Sequence, residues 1–500
     1  LAAVLRLGGA AWSERFHPDE AWFATFARGA AVTGDWWLGY GAGGALDKPP
    51  LALYAQALAM QFTAVTTDAA GVLQLDVYAG ERAARLPSAL AGVVTVAAIY
   101  ALARRLYRRR TDRGADARAA HTVGLIAAGI AALSPYGIVY SAAAFTDGLM
   151  VMCLTLALAC AAGGTRRSAI WAGVWAAAAF ACKPQGAYVV PLCAVLLFVS
   201  SRKLLPFILA CAVGIALVFA WDAARVAVLD TRGTPSVSTF AQAAVNNDPE
   251  RAGIAADEIA PRAATWLRFA AALLGSPAPI FALAALLGMI AYRRGIDALI
   301  IGCIIGYLAL HTLLPFNLYD RYLLPLLPLA SIAAARGALW LRTALTRFLP
   351  SAEVTLVMGA LALALINGAF AARAGGVEIG LWRRDTPLDP AEGGTRRADG
   401  IDAVAAYLDG RALGAIIYDR WLGWQLGYYM GAWTDKRRVY YPTSEAMAAG
   451  AANEADPAPR YFVAPSDAPY RPYLESLARA GFAAETVFER GAFRVYALRR

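Results

Sequence analysis

Arg85-Leu86-Pro87-Ser88-Ala89-Leu90-Ala91-Gly92-Val93-Val94-Thr95-Val96-Ala97-Ala98-Ile99-Tyr100-Ala101-Leu102-Ala103-Arg104-Arg105 is the stretch on which the reading of this chain turns. No charge interrupts it between Arg85 and Arg104, and about 20 apolar residues suffice for a helix to cross hydrocarbon. It runs into Arg104, Arg105, Arg108, Arg109, Arg110, Arg113 and Arg118, the kind of basic loop held on the cytoplasmic side of a membrane. A span at 86–107 with a basic flank indicates both the class of protein and an orientation.

Outward from that stretch, similar apolar runs read as spans at about 123–140, 148–162, 168–182, 186–200, 204–221, 271–291, 296–314, 322–341 and 352–372. The apolar stretch Leu1 to Trp12 is too short to cross alone, so a first helix is expected to begin upstream of it. Arg166-Arg167, Arg202-Lys203, Arg293-Arg294 and the run from Arg336 to Arg347 repeat the basic signature in alternate loops, which assigns them to the cytoplasmic side. The other face then receives residues 12–85, the turns at Asp147 and Lys183, residues 222–265, the turn at Asp320 and everything after 373. Within the first outer loop, Asp19 to Gly34 and Pro50 to Val65 read as surface helices, making it a structured wall rather than a tether.

Composition agrees. Of 500 residues, 59% are hydrophobic and 16% charged, with mean hydropathy +0.48, which argues against a soluble globular protein. The net charge of +10 comes from arginines in short loops rather than from a nucleic-acid-binding face. All six cysteines (Cys153, Cys160, Cys182, Cys193, Cys211, Cys303) fall in or beside spans without metal-ligand spacing, and read as small buried apolar residues. The three histidines, His17, His121 and His311, are too scattered for a zinc site. The glycine-rich Gly39 to Gly44 follows no strand and reads as a loop, not a dinucleotide site.

The composition changes at Gly375. A Pro-, Gly- and Asp-rich linker occupies 376–399, after which helical and strand patterns alternate through 400–500. Asp399 is placed to cap a helix Gly400 to Asp409, and Gly414 to Tyr418, Arg438 to Tyr441, Arg460 to Ala464 and Phe493 to Leu498 read as strands. The fold expected is an all-α polytopic membrane domain over 1–375, of about 11 helices, followed by a small α/β domain on the outer side. In the tail, Tyr418-Asp419-Arg420-Trp421-Leu422-Gly423-Trp424-Gln425 and Tyr428-Tyr429 are aromatic enough to stack on sugar rings, but read better as a core helix with its caps.

Charged groups gather on the outer side. Phe16-His17-Pro18-Asp19-Glu20 sets two carboxylates at a helix start, where the macrodipole favours them. Asp47-Lys48-Pro49-Pro50-Leu51 fixes an anion and a cation at a bend, because a proline restricts the residue before it. Arg82, Arg85, Asp147, Lys183, Asp320 and Arg321 lie at outer ends of other spans, and Asp147 sits in a tight turn where an unpaired carboxylate is costly. Together they describe a polar cavity suited to a phosphate-linked substrate: a carboxylate to take a hydroxyl proton, and cations to stabilise charge on a departing phosphate. Binding a lipid phosphate without chemistry would use the same groups. Residue types alone leave a transferase and a transporter or flippase of a lipid-linked sugar both open. Polar groups concentrated at one face, rather than along a path through the midplane, favour the transferase. A receptor with a membrane anchor would not need so many spans.

The order His17-Pro18-Asp19-Glu20, Gly34-Asp35-Trp36-Trp37, Asp47-Lys48-Pro49-Pro50-Leu51, Ala84-Arg85-Leu86-Pro87-Ser88-Ala89-Leu90, Phe145-Thr146-Asp147, Lys183-Pro184 and Arg321-Tyr322-Leu323-Leu324-Pro325-Leu326 resembles the GT-C glycosyltransferases over about residues 12–345. The branch is that of protein O-mannosyltransferases and lipid A aminoarabinose transferases. The resemblance implies inverting transfer from a polyprenyl-phosphate monosaccharide to a lipid, glycan or protein acceptor at the outer face of the cell membrane. It implies Asp19 as catalytic base with Glu20 beside it, and Lys48 and Arg321 on the phosphate. Asp47 stands where relatives often carry a Glu associated, in some members, with a divalent metal; its shorter side chain departs from that pattern. Ala21-Trp22-Phe23 replaces the Arg that aminoarabinose transferases carry after the Asp-Glu pair, which argues against that particular reaction.

Overall fold

The structure, a computed structural model, describes residues 1–12, 15–39, 46–108, 115–200, 203–234, 236–245, 253–373, 398–419, 422–431, 435–441, 443–465 and 470–500. The expected linker up to residue 397, the glycine-rich loop except Gly39, and Arg420-Trp421 lie outside these residues. By contact density the chain forms two compact units: Leu1–Trp12, Ala45–Ala55 and Arg85–Ile379 make one, and Ser13–Gly44, Gln56–Ala84 and Gly380–Arg500 the other.

The first unit is helical. Among the described residues, five helices are long and apolar enough to cross a membrane, beginning at Val77, Leu204, Gly295, Asp320 and Ser351. Shorter apolar helices, Ala117–Leu133, Asp147–Ala161 and Pro184–Val199, account for other expected spans, and Arg166–Cys182 for one more. The chain is a multi-pass membrane protein of the expected class. The run expected as one span at 271–291 is instead broken: Ala256–Leu274 and Ala278–Tyr292 meet at 95°. Gly275 supplies the turn with φ +81, and Pro277 cannot donate the amide that would continue the helix. Arg336, read from sequence as part of a basic loop, lies inside helix Leu327–Leu345 and pairs with Asp297 at 3.0 Å.

Small residues let these helices approach closely, as in membranes where apolar lipid gives no drive for loose packing. A β-carbon on Gly173 would sit 2.5 Å from the Phe207 carbonyl oxygen, and one on Gly214 would collide with Ala177. Helices Arg166–Cys182 and Leu204–Thr231 depend on that absence of side chain.

The second unit joins the first outer loop to the tail. The expected loop helix appears as Pro18–Arg28 continued by a π-helical turn, Gly29–Thr33, that ends at left-handed Gly34. Short strands β1 (Val65–Thr67) and β2 (Leu73–Leu75) pair antiparallel. The tail contributes β3 (Ile416–Asp419), β4 (Arg437–Tyr440), β5 (Arg460–Pro465), β6 (Ala483–Arg490) and β7 (Phe493–Arg499), in the order β4-β3-β5-β7-β6. β3 is parallel to β4 and β5; β7 is antiparallel to β5 and β6. β6 was not expected: it is a largely exposed edge strand carrying Glu485, Glu489 and Arg490, so it lacks the apolar alternation that reveals a half-buried strand. Helix Ile401–Asp409 begins as expected, but Gly400, not Asp399, occupies the cap, with no side-chain hydrogen bond.

Candidate active site

In the first unit the backbone presents charged groups at helix ends. Asp147 opens helix Asp147–Ala161, where a carboxylate complements the helix dipole. The segment before it is tied down by Ser88, whose Oγ donates to the Phe145 carbonyl at 2.9 Å. Pro184 keeps Lys183 extended (φ −162) as it closes the preceding helix. Lys183 Nζ then donates to Asp147 Oδ1 at 2.7 Å, with both side chains almost fully buried, and lies 4.7 Å over the Tyr322 ring. Removing one member of a buried pair typically costs about 3–5 kcal/mol, because its partner is left charged and dry.

The positive charges of Arg321 and Lys48 act on Lys183, and the carboxylates of Asp47 and Asp147 on Tyr322. Asp47, Lys48, Asp147, Lys183, Arg321 and Tyr322 therefore share one electrostatic neighbourhood. Lys48 is ion-paired with Asp47. Asp320 accepts from the Tyr140 hydroxyl and, at 2.7 Å, from the Arg321 amide. The Arg321 guanidinium stacks over Phe145 at 5.0 Å and Tyr319 at 4.8 Å, which aims a planar cation while keeping it weakly hydrated. Three carboxylates face three cations, so an added phosphate would enter a region of compensated charge. Arg85 is also fully buried in this unit.

Some positioning residues were not anticipated. Gln185 Nε2 donates to Tyr307 Oη at 2.6 Å and to the Tyr322 carbonyl at 3.2 Å, and Tyr307 donates to that carbonyl at 2.6 Å. Arg262 donates to the carbonyls of His311, Leu314 and Phe316 at 3.0, 2.9 and 2.7 Å, and Trp266 Nε1 donates to His311 at 2.9 Å. These bonds close the end of helix Gly295–Leu313 and hold the strand of chain that leads to Asp320-Arg321. The sequence signal was a lone arginine in an amphipathic segment, which reads equally as a surface charge.

Asp19, Glu20 and Arg82 belong to the second unit. His17 caps helix Pro18–Arg28: its Nδ1 accepts from the Asp19 amide at 3.2 Å, while the Glu20 carboxylate accepts from the His17 amide at 3.1 Å. This reciprocal arrangement is a capping box. Glu20 is buried within it, whereas Asp19 is half-buried. Helix Gly423–Met430 packs on helix Pro18–Arg28. Gln425 Nε2 donates to the Phe16 carbonyl at 2.9 Å, the Phe16 amide donates to Tyr429 Oη at 3.0 Å, and the Trp22 and Trp424 rings stack at 5.2 Å. Arg28 donates to the Tyr428 carbonyl, and Glu81 receives the Tyr429 hydroxyl and pairs with Arg15 at 3.2 Å. Gly423–Met430 is thus a core helix, as its sequence suggested, whereas Tyr418 and Asp419 belong to β3, and part of the helix's packing is on the first loop.

Asp419 ends β3 with its carboxylate buried, accepting from the Leu422 amide at 3.1 Å. Burial pushes it up to about 6, against the smaller downward pulls of the Leu422 amide, Arg438 and the Gly423 amide. A carboxyl raised on folding favours the folded state most below its unfolded value near 4 and progressively less as pH rises through 6. The shift corresponds to about 3 kcal/mol. Asp419→Asn, which keeps an acceptor for the loop, is expected to gain thermal stability relative to wild type as pH is raised from 4 to 7. An offset independent of pH, measured by unfolding scans across that range, would contradict this assignment.

A divalent ion at Asp47 would need further anionic or imidazole donors. Among the described residues no three His, Cys, Asp or Glu side chains converge, and the Asp47 carboxylate is paired with the Lys48 ammonium. This donor set does not fit a divalent metal.

Residues 47–222 match the family model for dolichyl-phosphate-mannose-protein mannosyltransferase. No curated protein matches the chain. Among solved structures, ArnT from Cupriavidus metallidurans bound to undecaprenyl phosphate is similar at TM-score 0.62 and 15% identity, over 99% of this chain and 96% of that one. Its apo state gives 0.60 with the same identity and coverage. The Archaeoglobus fulgidus oligosaccharyltransferase complex with Zn and sulfate gives 0.51 and 12%, over 99% and 72%. The fold is that of ArnT, in line with the GT-C resemblance of the sequence motifs.

Proposed function

We propose that this membrane protein is an inverting glycosyltransferase that moves a hexosyl or pentosyl unit from a polyprenyl-phosphate carrier to a hydroxyl of a lipid, glycan or protein acceptor. The observation that carries the reading is the gathering of Lys48, Lys183 and Arg321 with Asp47 and Asp147 in a chain of the ArnT fold. In this reading Lys48 and Arg321 hold the carrier phosphate and stabilise the charge it acquires as the C–O bond to the sugar breaks. Lys183 is neutralised by Asp147, and Arg82 and Arg85 are further candidate contacts to the substrate. Asp19 accepts the proton of the attacking hydroxyl, and Glu20 holds the start of its helix. A strain lacking the protein should accumulate one polyprenyl-phosphate sugar, identifiable by mass spectrometry of the lipid extract. Unchanged carrier lipids, together with no transfer by purified protein given that extract, would refute the reading.

The reaction belongs on the outer face, because the basic loops alternate with the segments that bear the site. The six native cysteines are buried or half-buried, so introduced thiols are readable against them. Arg108→Cys should label only from the cytoplasm, and Leu413→Cys, on an exposed residue, only from outside. The reverse pattern would invert the proposed topology.

A further inference from the structure

We infer that the end of the helical unit remote from the candidate active site holds the headgroup of an anionic phospholipid. Helix Val77–Tyr107 carries Arg85 near one end and Tyr107 at the other, about 33 Å apart at 1.5 Å per residue. At the Tyr107 end a cleft of about 590 Å³ is lined by Leu106, Tyr107, Arg108, Tyr292, Arg293, Arg294, Gly295 and Ile296. Three arginines and two tyrosines line it, and among the described residues no carboxylate does. The nearest acid on these elements, Asp297, is neutralised by Arg336 at 3.0 Å and accepts the Tyr107 hydroxyl, so it does not offset the cleft's charge.

The backbone supplies a second reason. Arg293 closes helix Ala278–Tyr292 in the left-handed conformation, φ 49 and ψ 33. Glycine adopts that conformation freely, whereas other residues incur a cost. A strained arginine where glycine would serve points to a role for its side chain. Leu106 and Ile296 also line an adjoining pocket formed by Leu102, Leu158, Leu192, Leu196, Leu299, Ile300 and Leu329. It is wholly apolar, with room of only about 10 Å³. A lipid chain would lie across its mouth while the phosphate engages the arginines. Charge above and hydrocarbon below, at the end of membrane helices, match an amphiphile whose head is a phosphate anion.

The test is native mass spectrometry of the full chain, released from vesicles of mixed phosphatidylglycerol and phosphatidylcholine. Wild type should retain phosphatidylglycerol preferentially, and Arg293→Gly combined with Arg294→Ala should lower that preference about tenfold or more. Arg293→Gly alone should reduce retention without lowering the melting temperature, because it relieves the backbone; a merely structural arginine would not separate the two readouts. Arg166→Ala with Arg167→Ala, an exposed pair at the start of helix Arg166–Cys182, should retain the lipid as wild type does. The proposal is overturned by unchanged preference in the cleft variants or by an equal loss in the Arg166/Arg167 variant, which would indicate a diffuse basic belt. Inorganic phosphate competing as well as the lipid would likewise overturn it, in favour of a soluble anion site.

Discussion

Asp19→Asn is expected to lower turnover about a hundredfold or more while leaving donor affinity nearly unchanged. Positioned general bases contribute roughly 10² to 10⁴, and asparagine matches the size of aspartate without its basicity. A base that acts on the acceptor hydroxyl matters in the transition state rather than in donor binding, so kcat should fall and the donor KM should not rise. Glu20→Gln is the internal control. Its oxygen accepts from the His17 amide, and glutamine fills the same role in a capping box. The helix should therefore persist, with activity near that of wild type. A folded Asp19→Asn protein with normal turnover would remove the base from Asp19; selective loss in Glu20→Gln would transfer it one residue along.

Lys48→Ala and Arg321→Ala should each weaken use of the donor by roughly ten to more than a hundred fold, since a charge-assisted contact contributes about 1.5–3 kcal/mol. The two need not behave alike. Arg321 is held by aromatic faces on two sides, and Arg321→Lys should recover little because an ammonium lacks the planar fork that stacks there. Lys48 is paired with Asp47, so Lys48→Ala leaves a carboxylate facing the phosphate, and Lys48→Ala with Asp47→Ala should recover part of the loss. Steady-state assays with one defined donor would show both patterns. Wild-type kcat and donor KM in both single variants would dismiss the phosphate assignment.

The long apolar runs were legible because a bilayer imposes a length and forbids charge, and both can be read directly along the chain. The run at 271–291 misled because hydropathy does not register direction: Gly275 and Pro277 turn the backbone while the residues around them stay apolar. Strands β3, β4, β5 and β7 were found by their apolar patterning; β6, an edge strand with charged residues, carried no such mark. Among the site residues, charges at span ends could be nominated individually. The Asp147–Lys183 pair, the grip of Arg262 on three carbonyls and the Tyr140–Asp320 bond join segments far apart in the chain. No local pattern encodes such partners.

The bond from Gln425 to the Phe16 carbonyl spans 409 positions of sequence, and that separation has a consequence in time. At about 5–20 residues per second of synthesis, helix Pro18–Arg28 waits roughly 20–80 s after it emerges before the helix that covers it exists. During that interval the faces of Phe16, Trp22 and Phe26 that later pack on Tyr428 and Trp424 have no native partner. The surroundings of Asp19 can therefore reach their final form only after the tail has been made. Lesions near the C-terminus that slow its folding would act as lesions of the N-terminal loop, and would lengthen the period in which the nascent chain is prone to aggregate.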